Sequence, residues 1–190
     1  MRRRLLGMLA LLAGACCLPG CEGDSEYTTE YACYFVFDTT IHNTSIINNA
    51  LNPLSPGIFV MVSTTLQGSV RYVNAELNDG KTSETVAVTT AKETRLTYKL
   101  GAYNGLIIGY GTLTGGELYA FDRQCPNCMK AYNLYKYPLS WTNNGAYVSC
   151  KTCGRVYDLN NGGYIVEGDA GVKLSRYQAS YNGSALVVHN

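Results

Sequence analysis

The sequence predicts an all-β protein. Its 190 residues include 16 tyrosines and 20 glycines, and short runs of Val, Ile, Thr and Tyr recur between Gly, Asn, Asp and Pro. β-Branched and aromatic residues favour strands, whereas Gly, Asn and Pro mark the turns between them. Long runs of Ala, Leu, Glu and Lys, which typify helical proteins, are few. The chain length after the N-terminal region suits one well-packed domain.

Twelve segments carry the alternating or continuous apolar pattern of strands. They are residues 34–37, 58–64, 70–73, 84–89, 94–99, 106–112, 117–121, 147–149, 156–158, 163–166, 174–181 and 185–189. The sequences Asn78-Asp79-Gly80 and Tyr181-Asn182-Gly183 predict hairpin turns, because Asn and Gly accept positive φ angles. One short helix is predicted within residues 40–51, before Pro53. The simplest architecture is one β domain of residues 34–190 with protruding loops.

The first 20 residues have the pattern of a secretory signal peptide. Three arginines follow Met1, and the apolar stretch of residues 5–15 is too short to span a bilayer but suits a signal peptide. No second apolar run in the sequence reaches transmembrane length. We therefore expect residues 1–20 to be removed and residues 21–33, which begin with an acidic stretch, to form a tether.

The end of this segment, Leu18-Pro19-Gly20-Cys21, resembles a bacterial lipobox. The resemblance implies cleavage before Cys21 and acylation of its thiol and new amine. Several acyl chains give stable anchoring, whereas one chain gives only marginal binding. Two alternatives are lipidation at Cys16 in an earlier frame and a soluble secreted protein cleaved near Ala15. The expected location is the bacterial cell envelope, on the outer membrane, with the acidic tether compatible with surface exposure.

The charge balance argues against nucleic-acid binding. After removal of residues 1–20 the chain has 12 basic and 14 acidic residues, a formal charge of −2. A nucleic-acid-binding domain needs a basic stripe, and the sequence has none. The expected partners are instead the membrane, through the lipid anchor, and a redox partner protein.

The most specific motif is a pair of C-x2-C sequences, which we call the first and second knuckles. The first is Cys125-Pro126-Asn127-Cys128 and the second is Cys150-Lys151-Thr152-Cys153. Each C-x2-C turn places two sulfurs on one side of a bend, and two facing bends make a four-sulfur metal site. The predicted metal-binding loops span residues 123–157. Disulfides, or buried reduced thiols that bind nothing, are the alternatives.

The C-terminal region around these knuckles resembles a Rieske domain. The residues that carry the resemblance are 118–126 (LYAFDRQCP), 148–159 (VSCKTCGRVYDL), 161–163 (NGG), Gly168, Leu174, Tyr177 and 186–188 (LVV). Rieske domains have a strand leading into a Cys-Pro loop, a Cys-x2-His-Gly loop, an aromatic-Asp-Leu strand, a Gly turn and two closing strands. The resemblance implies an antiparallel β-sandwich or barrel with a two-knuckle metal-binding subdomain, from about residue 100 onward.

The ligands depart from the Rieske pattern. A Rieske centre uses two cysteines on one iron and two histidines on the other. By position, Cys125 and Cys150 match the cysteine ligands and Cys153 replaces the second histidine. Asn127 occupies the first histidine position, with Cys128 one residue further on. The two histidines of the chain, His42 and His189, are remote from both knuckles in sequence. Four thiolates remain, which suit structural zinc, mononuclear iron or an all-cysteine [2Fe–2S] cluster.

These motifs favour a membrane-anchored, Rieske-like metal-binding lipoprotein without catalytic residues of its own. Its centre is either structural zinc or a [2Fe–2S] electron-transfer centre, in which case the chain is an electron-transfer subunit of an oxidoreductase. One alternative is a cell-surface binding module in which the cysteines form disulfides. Another is a thiol–disulfide oxidoreductase, which requires a C-x2-C at a helix start. The residues after Cys128 lack a helical pattern, and Cys33 is expected to be a buried apolar residue.

Overall fold

The computed structural model describes residues 26–113 and 115–190, and it confirms the all-β class: 42% of the residues are in strands and 12% in helices. Two short α-helices are described, α1 (Ile47–Ala50) and α2 (Pro126–Tyr132). The strands are β1 (Cys33–Asp38), β2 (Phe59–Gln67), β3 (Val70–Leu77), β4 (Ser83–Val88), β5 (Lys99–Leu100), β6 (Gly105–Tyr110), β7 (Leu118–Asp122), β8 (Leu139–Thr142), β9 (Tyr147–Cys150), β10 (Val156–Asp158), β11 (Tyr164–Glu167), β12 (Gln178–Tyr181) and β13 (Ala185–His189).

The strands form three antiparallel sheets. The central sheet has the order β4-β3-β2-β6-β7, the outer sheet β12-β13-β1-β5, and the knuckle sheet β11-β10-β9-β8. None of them closes into a barrel among these residues. The outer sheet pairs the two ends of the described chain, because Tyr34 of β1 lies opposite His189 of β13. Strand β7 is the edge of the central sheet from which the chain enters the first knuckle.

Strand β2 shows how the central sheet serves two hydrophobic cores. Successive side chains of a strand point to opposite faces. Val60 and Val62 face a first core shared with Phe35 and other residues of the outer sheet. Phe59 and Met61 face a second core shared with residues of the knuckle sheet. All four of these β2 residues are buried, which explains why β2 reads as a continuous apolar run.

The structure corrects several sequence-based boundaries. The predicted strand 94–99 instead begins in a 3-10 turn, Glu93–Arg95, and strand pairing is present only at Lys99–Leu100. Glu93 is buried there, where its carboxylate accepts a hydrogen bond from the Thr90 hydroxyl and contacts His42 at 2.6 Å. The predicted strand 174–181 pairs regularly only from Gln178 onward. Strand β8 and helix α2 were not predicted, whereas α1 lies within the predicted helical segment.

The N-terminal part of the described chain is docked against the domain. The backbone N–H of Thr28 donates to the Arg176 carbonyl at 2.7 Å. The Arg176 guanidinium forms 2.5 Å ion pairs with Glu26 and Glu117 and lies over the Tyr27 ring at 5.1 Å. The segment 26–28 is therefore fixed at the β7 side of the molecule before β1 begins at Cys33.

Several sequence-based assignments fall outside the described residues. The predicted signal peptide of residues 1–20, the lipidation site Cys21 and the first residues of the predicted 21–33 tether belong to this group. They remain predictions. None of the helices that the structure describes is long and apolar enough to cross a membrane.

A buried carboxylate supports the passage from β7 into the first knuckle. Asp122 is 1% exposed, and it accepts hydrogen bonds of 2.7 Å from the backbone N–H groups of Ala102 and Gln124 and from the Tyr177 hydroxyl. Burial raises the pKa of Asp122, and these hydrogen bonds partly oppose the shift. Gly101, at φ +68°, is required beside it, because a Cβ there would lie 2.2 Å from the carboxylate.

We expect Asp122→Asn to destabilise the fold by about 1–3 kcal/mol, the range for leaving a buried donor unsatisfied. Both carboxylate oxygens accept backbone N–H groups, and an amide offers an oxygen to only one of them. Urea unfolding of the mature protein measures the change. The exposed Asp169→Asn is the control and should leave the unfolding midpoint unchanged. Equal stability of the two variants would contradict the role of Asp122.

Candidate metal centre

The two knuckles meet, and their four sulfurs form one cluster. The Sγ atoms of Cys125 and Cys153 are 3.8 Å apart, and those of Cys128 and Cys150 are 3.6 Å apart. All four Sγ atoms lie within 4.8 Å of one another. The structure thus brings together the four cysteines that the sequence analysis selected. Three are buried and Cys153 is partly exposed, so the cluster opens to solvent on one side.

The first knuckle is built on the start of helix α2. Cys125 precedes the helix in an extended conformation, with φ −67° and ψ 114°, and Pro126 is its first residue. Proline suits this position because the first N–H groups of a helix have no partner within it. Cys128 is three residues after Cys125, so both sulfurs face the same side of the first turn. This helix corrects the expectation that no helix follows the first knuckle.

The second knuckle is the tight turn between β9 and β10. Cys150 is the last residue of β9, and its backbone N–H donates to the Arg155 carbonyl at 2.9 Å. The N–H of Gly154 donates back to the Cys150 carbonyl at 2.9 Å. Gly154 has φ +71°, a conformation that side chains with a Cβ rarely adopt. This turn presents Cys150 and Cys153 to the first knuckle.

A buried tyrosine hydroxyl lies next to the cluster. The Tyr157 hydroxyl is 3.4 Å from Cys125 Sγ and accepts a 2.9 Å hydrogen bond from Asn127 Nδ2. Because the Asn127 amide supplies one hydrogen, the hydroxyl proton of Tyr157 is free to point at the sulfur. Asn127 and Tyr157 were not selected from the sequence as site residues. Their positions, inside a knuckle and in the Tyr-Asp-Leu strand, are the sequence signals that could have identified them.

A loop of residues 168–174, which we call the cover loop, closes over the first knuckle. Asn127 makes two hydrogen bonds with the backbone of Val172, of 2.8 and 3.0 Å. The Arg155 guanidinium donates to the carbonyls of Asp169 and Ala170 at 2.9 and 3.0 Å. A Cβ at Gly171 would lie 2.2 Å from Asn127 Oδ1, so glycine is required there. Both knuckles therefore fix the same loop.

The surroundings set the charge state of the thiols. Burial raises the pKa of Cys125 to about 11 and also raises the pKa of Cys128, so these groups stay protonated near neutral pH unless a cation replaces the protons. For Cys153 burial acts in the same direction, but hydrogen bonds involving Arg155 outweigh it and lower the pKa to about 7. The cluster is suited to a cation that neutralises several thiolates at once.

The described cysteines form no disulfide, which corrects the alternative in which disulfides tie the knuckles. Cys33, Cys125, Cys128, Cys150 and Cys153 are all free thiols. The separations of 3.6 Å for Cys128–Cys150 and 3.8 Å for Cys125–Cys153 far exceed the bond length of about 2 Å in a disulfide. Cys33 is 4% exposed in the first core, as expected for a small apolar residue. It takes no part in the cluster.

Four of the five aromatic residues between the knuckles divide into two groups. Tyr137 and Trp141 are partly buried against the second core, close to the cluster. Tyr132 and Tyr135 are 58% and 52% exposed. Tyr137 and Trp141 thus extend the second core, whereas Tyr132 and Tyr135 face solvent.

Comparison with known proteins gives no relative. No protein-family model, curated protein or solved structure matches the chain. The Rieske resemblance therefore stays a prediction from the sequence, and the chemistry of the four sulfurs carries the functional argument.

We expect Tyr157→Phe to lower stability by about 1 kcal/mol, the net value of a typical hydrogen bond, and to speed hydrogen exchange in the cover loop. The change leaves one Asn127 N–H without its acceptor, and Asn127 is the residue that holds Val172. Hydrogen–deuterium exchange by mass spectrometry measures the effect. Tyr164→Phe, at a 53% exposed tyrosine, is the matched control. Unchanged exchange in residues 168–174 of Tyr157→Phe would contradict this account.

Proposed function

We propose that this protein is a lipid-anchored protein of the bacterial envelope in which Cys125, Cys128, Cys150 and Cys153 hold one structural zinc ion. The observation that carries the proposal is the mutual distance of the four sulfurs, none more than 4.8 Å from another. The ion fastens helix α2 to the β9–β10 turn and thereby fixes the cover loop. It acts as a staple and supplies no catalysis.

The sulfur spacing matches a single tetrahedral ion. Zinc–sulfur bonds of about 2.3 Å place the sulfurs of a tetrahedral site about 3.8 Å apart. The 3.8 Å and 3.6 Å pairs, Cys125–Cys153 and Cys128–Cys150, agree with this edge length. A [2Fe–2S] cluster instead binds two thiolates on each of two irons, so sulfurs on different irons lie well beyond a tetrahedron edge. The compact cluster therefore favours zinc over the two-iron alternative.

The order of the strands around the two knuckles supports the proposal of a Rieske-like scaffold. Strand β7 leads into Cys125-Pro126, and the turn after β9 carries Cys150 and Cys153. Strand β10 holds the aromatic-Asp pair before Leu159, and β12 and β13 close the chain. This order agrees with the order of Rieske elements inferred from the sequence. We propose that the chain uses this kind of scaffold with an all-cysteine site.

Electron transfer by an iron centre is the second candidate. The Tyr157 hydroxyl beside Cys125 Sγ favours it, because hydrogen bonds to ligand sulfurs tune the reduction potential of iron–sulfur centres. The partly exposed Cys153 would provide the side from which a redox partner protein approaches. One mononuclear iron fits the sulfur spacing as well as zinc does, and colour separates the two.

A thiol–disulfide oxidoreductase is the weaker alternative. The start of α2 at the first knuckle favours it, since a helix N-terminus lowers the pKa of a catalytic thiol. Burial instead raises the pKa of Cys125 to about 11, whereas a reactive cysteine needs a lowered value. All four thiols also converge on one point, as ligands do. The geometry therefore supports metal ligation.

We expect the purified mature protein to contain one zinc per chain and to be colourless. Serine at Cys125, Cys128, Cys150 or Cys153 should each lower the zinc content and increase hydrogen exchange across residues 123–157. Cys33→Ser is the matched control, because Cys33 is a buried free cysteine that lies outside the cluster. Elemental analysis and the visible spectrum give the readout. Brown protein with one or two irons would replace zinc by iron, and metal-free protein with intact free thiols would refute the metal centre.

The lipid anchor has its own test. We expect mass spectrometry of the N-terminal peptide from bacterial membranes to show cleavage before Cys21 and acyl chains on this residue. Cys21→Ser should abolish the acylation and release the protein from the membrane, whereas Cys16→Ser should leave both unchanged. Acyl chains on Cys16 would shift the anchor to the earlier frame. An unmodified N-terminus elsewhere would refute anchoring.

A further inference from the structure

The docked segment 26–28 limits how far the folded domain can stand from a lipid anchor. Arg176 binds Glu26 by a 2.5 Å ion pair, and the Thr28 N–H donates to the Arg176 carbonyl at 2.7 Å. Arg176 is itself 7% exposed and lies over the Tyr119 ring at 4.4 Å, so this attachment is part of the fold. Five peptide units separate Cys21 from Glu26 and span at most about 18 Å when fully extended.

The docked segment lies at one identifiable side of the molecule. Residues 175–177 run along β7, with hydrogen bonds of 2.9 Å from Asp122 N to Ser175 O and 2.8 Å from Tyr177 N to Ala120 O. Segment 26–28 lies outside them, on Arg176. The edge of the central sheet is thus followed outward by residues 175–177 and then by 26–28. Strand β4 is the opposite edge, about 19 Å away at four strand spacings of about 4.8 Å.

The same side carries exposed aromatic and basic residues. Tyr135 contacts Tyr31 with ring centroids 5.7 Å apart, and a cleft next to them is lined by Glu30, Lys130 and Val172 among others. Val172 is 43% exposed, and the neighbouring Lys173 lies 5.2 Å from the ring of Tyr164. Tyr135, Tyr164, Val172, Lys130 and Lys173 thus lie on the same side of the molecule as residues 26–31, and we call this surface the anchor face.

The chemistry of the anchor face suits lipid headgroups. Tyrosine rings and lysine stems are apolar with a polar tip, and such side chains concentrate at membrane interfaces. Of the acidic residues on this side, Asp169 of the cover loop is exposed, whereas two others have partners. Glu26 is paired with Arg176, and Glu30 accepts a hydrogen bond from the Tyr31 hydroxyl. Lys130 is exposed and Lys173 is partly exposed, and such positive side chains attract the phosphate groups of lipids.

We propose that the anchor face lies on the lipid surface, so that the protein sits on the membrane in one orientation with the cover loop and first knuckle at the bilayer. Val172 belongs to the anchor face and connects it to the first knuckle. Its backbone is bound by Asn127, which lies between the ligands Cys125 and Cys128. The partner is the headgroup layer of the membrane that holds the anchor. This inference rests on the proposed lipidation of Cys21.

The test uses the lipidated full chain, isolated from membranes and reconstituted in vesicles of phosphatidylethanolamine and phosphatidylglycerol with brominated acyl chains. The chain has one tryptophan, which Trp141→Phe removes. Three variants of this background each introduce a single tryptophan: Tyr135→Trp, Tyr164→Trp and, as the control on β4, Thr85→Trp. Thr85 is exposed at the far edge of the central sheet. Bromine should quench the emission at positions 135 and 164 at least about twofold, since interfacial side chains enter the headgroup–acyl boundary, and leave position 85 unchanged.

Vesicle flotation separates failure of the anchor from failure of the orientation. Protein that floats while positions 135, 164 and 85 are equally unquenched keeps the anchor but overturns the anchor face. Protein that fails to float overturns both. Hydrogen–deuterium exchange on the unmutated protein guards against a misfolded variant: vesicles should slow exchange in residues 130–136 and 170–174 relative to the soluble Cys21→Ser protein. Equal exchange in these segments would also overturn the proposal.

Discussion

The burial of sulfur at the junction of the two knuckles is the constraint on which the rest of this structure depends. Cys125, Cys128 and Cys150 are 0–1% exposed and belong to the same hydrophobic core as Phe121 and Leu139. Thiolates in such a place are costly unless a cation neutralises them, and neutral thiols give up the strong bonds that a cation would form. The knuckle sheet is small, with strands of three or four residues. A metal ion would give this small layer the cohesion that its short strands do not provide.

The central sheet connects the knuckle region to the rest of the domain. One face packs on the outer sheet and the other on the knuckle sheet, so residues of β2 contribute to both cores. The passage from β7 into the first knuckle is fixed at several points: the Asp122 carboxylate binds the Gln124 N–H, and the Cys125 N–H donates to Tyr137 O at 2.9 Å. Loss of order at the sulfurs would therefore disturb β7 first and then the other strands of the central sheet. The outer sheet packs on the central sheet through the first core, away from the sulfurs, so it would be affected least.

The sequence was most informative where one interaction dominated. Strand periodicity located most strands because each has a buried face, and paired C-x2-C spacing identified the cluster because four sulfurs must converge to bind one ion. It failed where tertiary contacts decided the local structure. Residues 94–99 have strand-like side chains, but the buried Glu93 and its partners hold a 3-10 turn. Helix α2 has seven residues, too few for a periodic signal. The contacts of Asn127 with the cover loop join residues 45 apart in sequence, which no local pattern encodes.

The pairing of β1 with β13 has a consequence for the order in which the protein acquires its structure. Residues 34–38 pair with residues 185–189, and Tyr34 also pairs with Lys99 of β5. The segment from β7 to the cover loop is continuous in sequence and contains both knuckles, so its contacts close over much shorter stretches of chain. Contacts between distant residues form slowly because more chain must be ordered to make them. The knuckle region can therefore assemble early, whereas the outer sheet also needs residues 185–189. Until then the edge of β1 that faces β13 is unpaired, so this apolar strand can pair with another chain and promote aggregation.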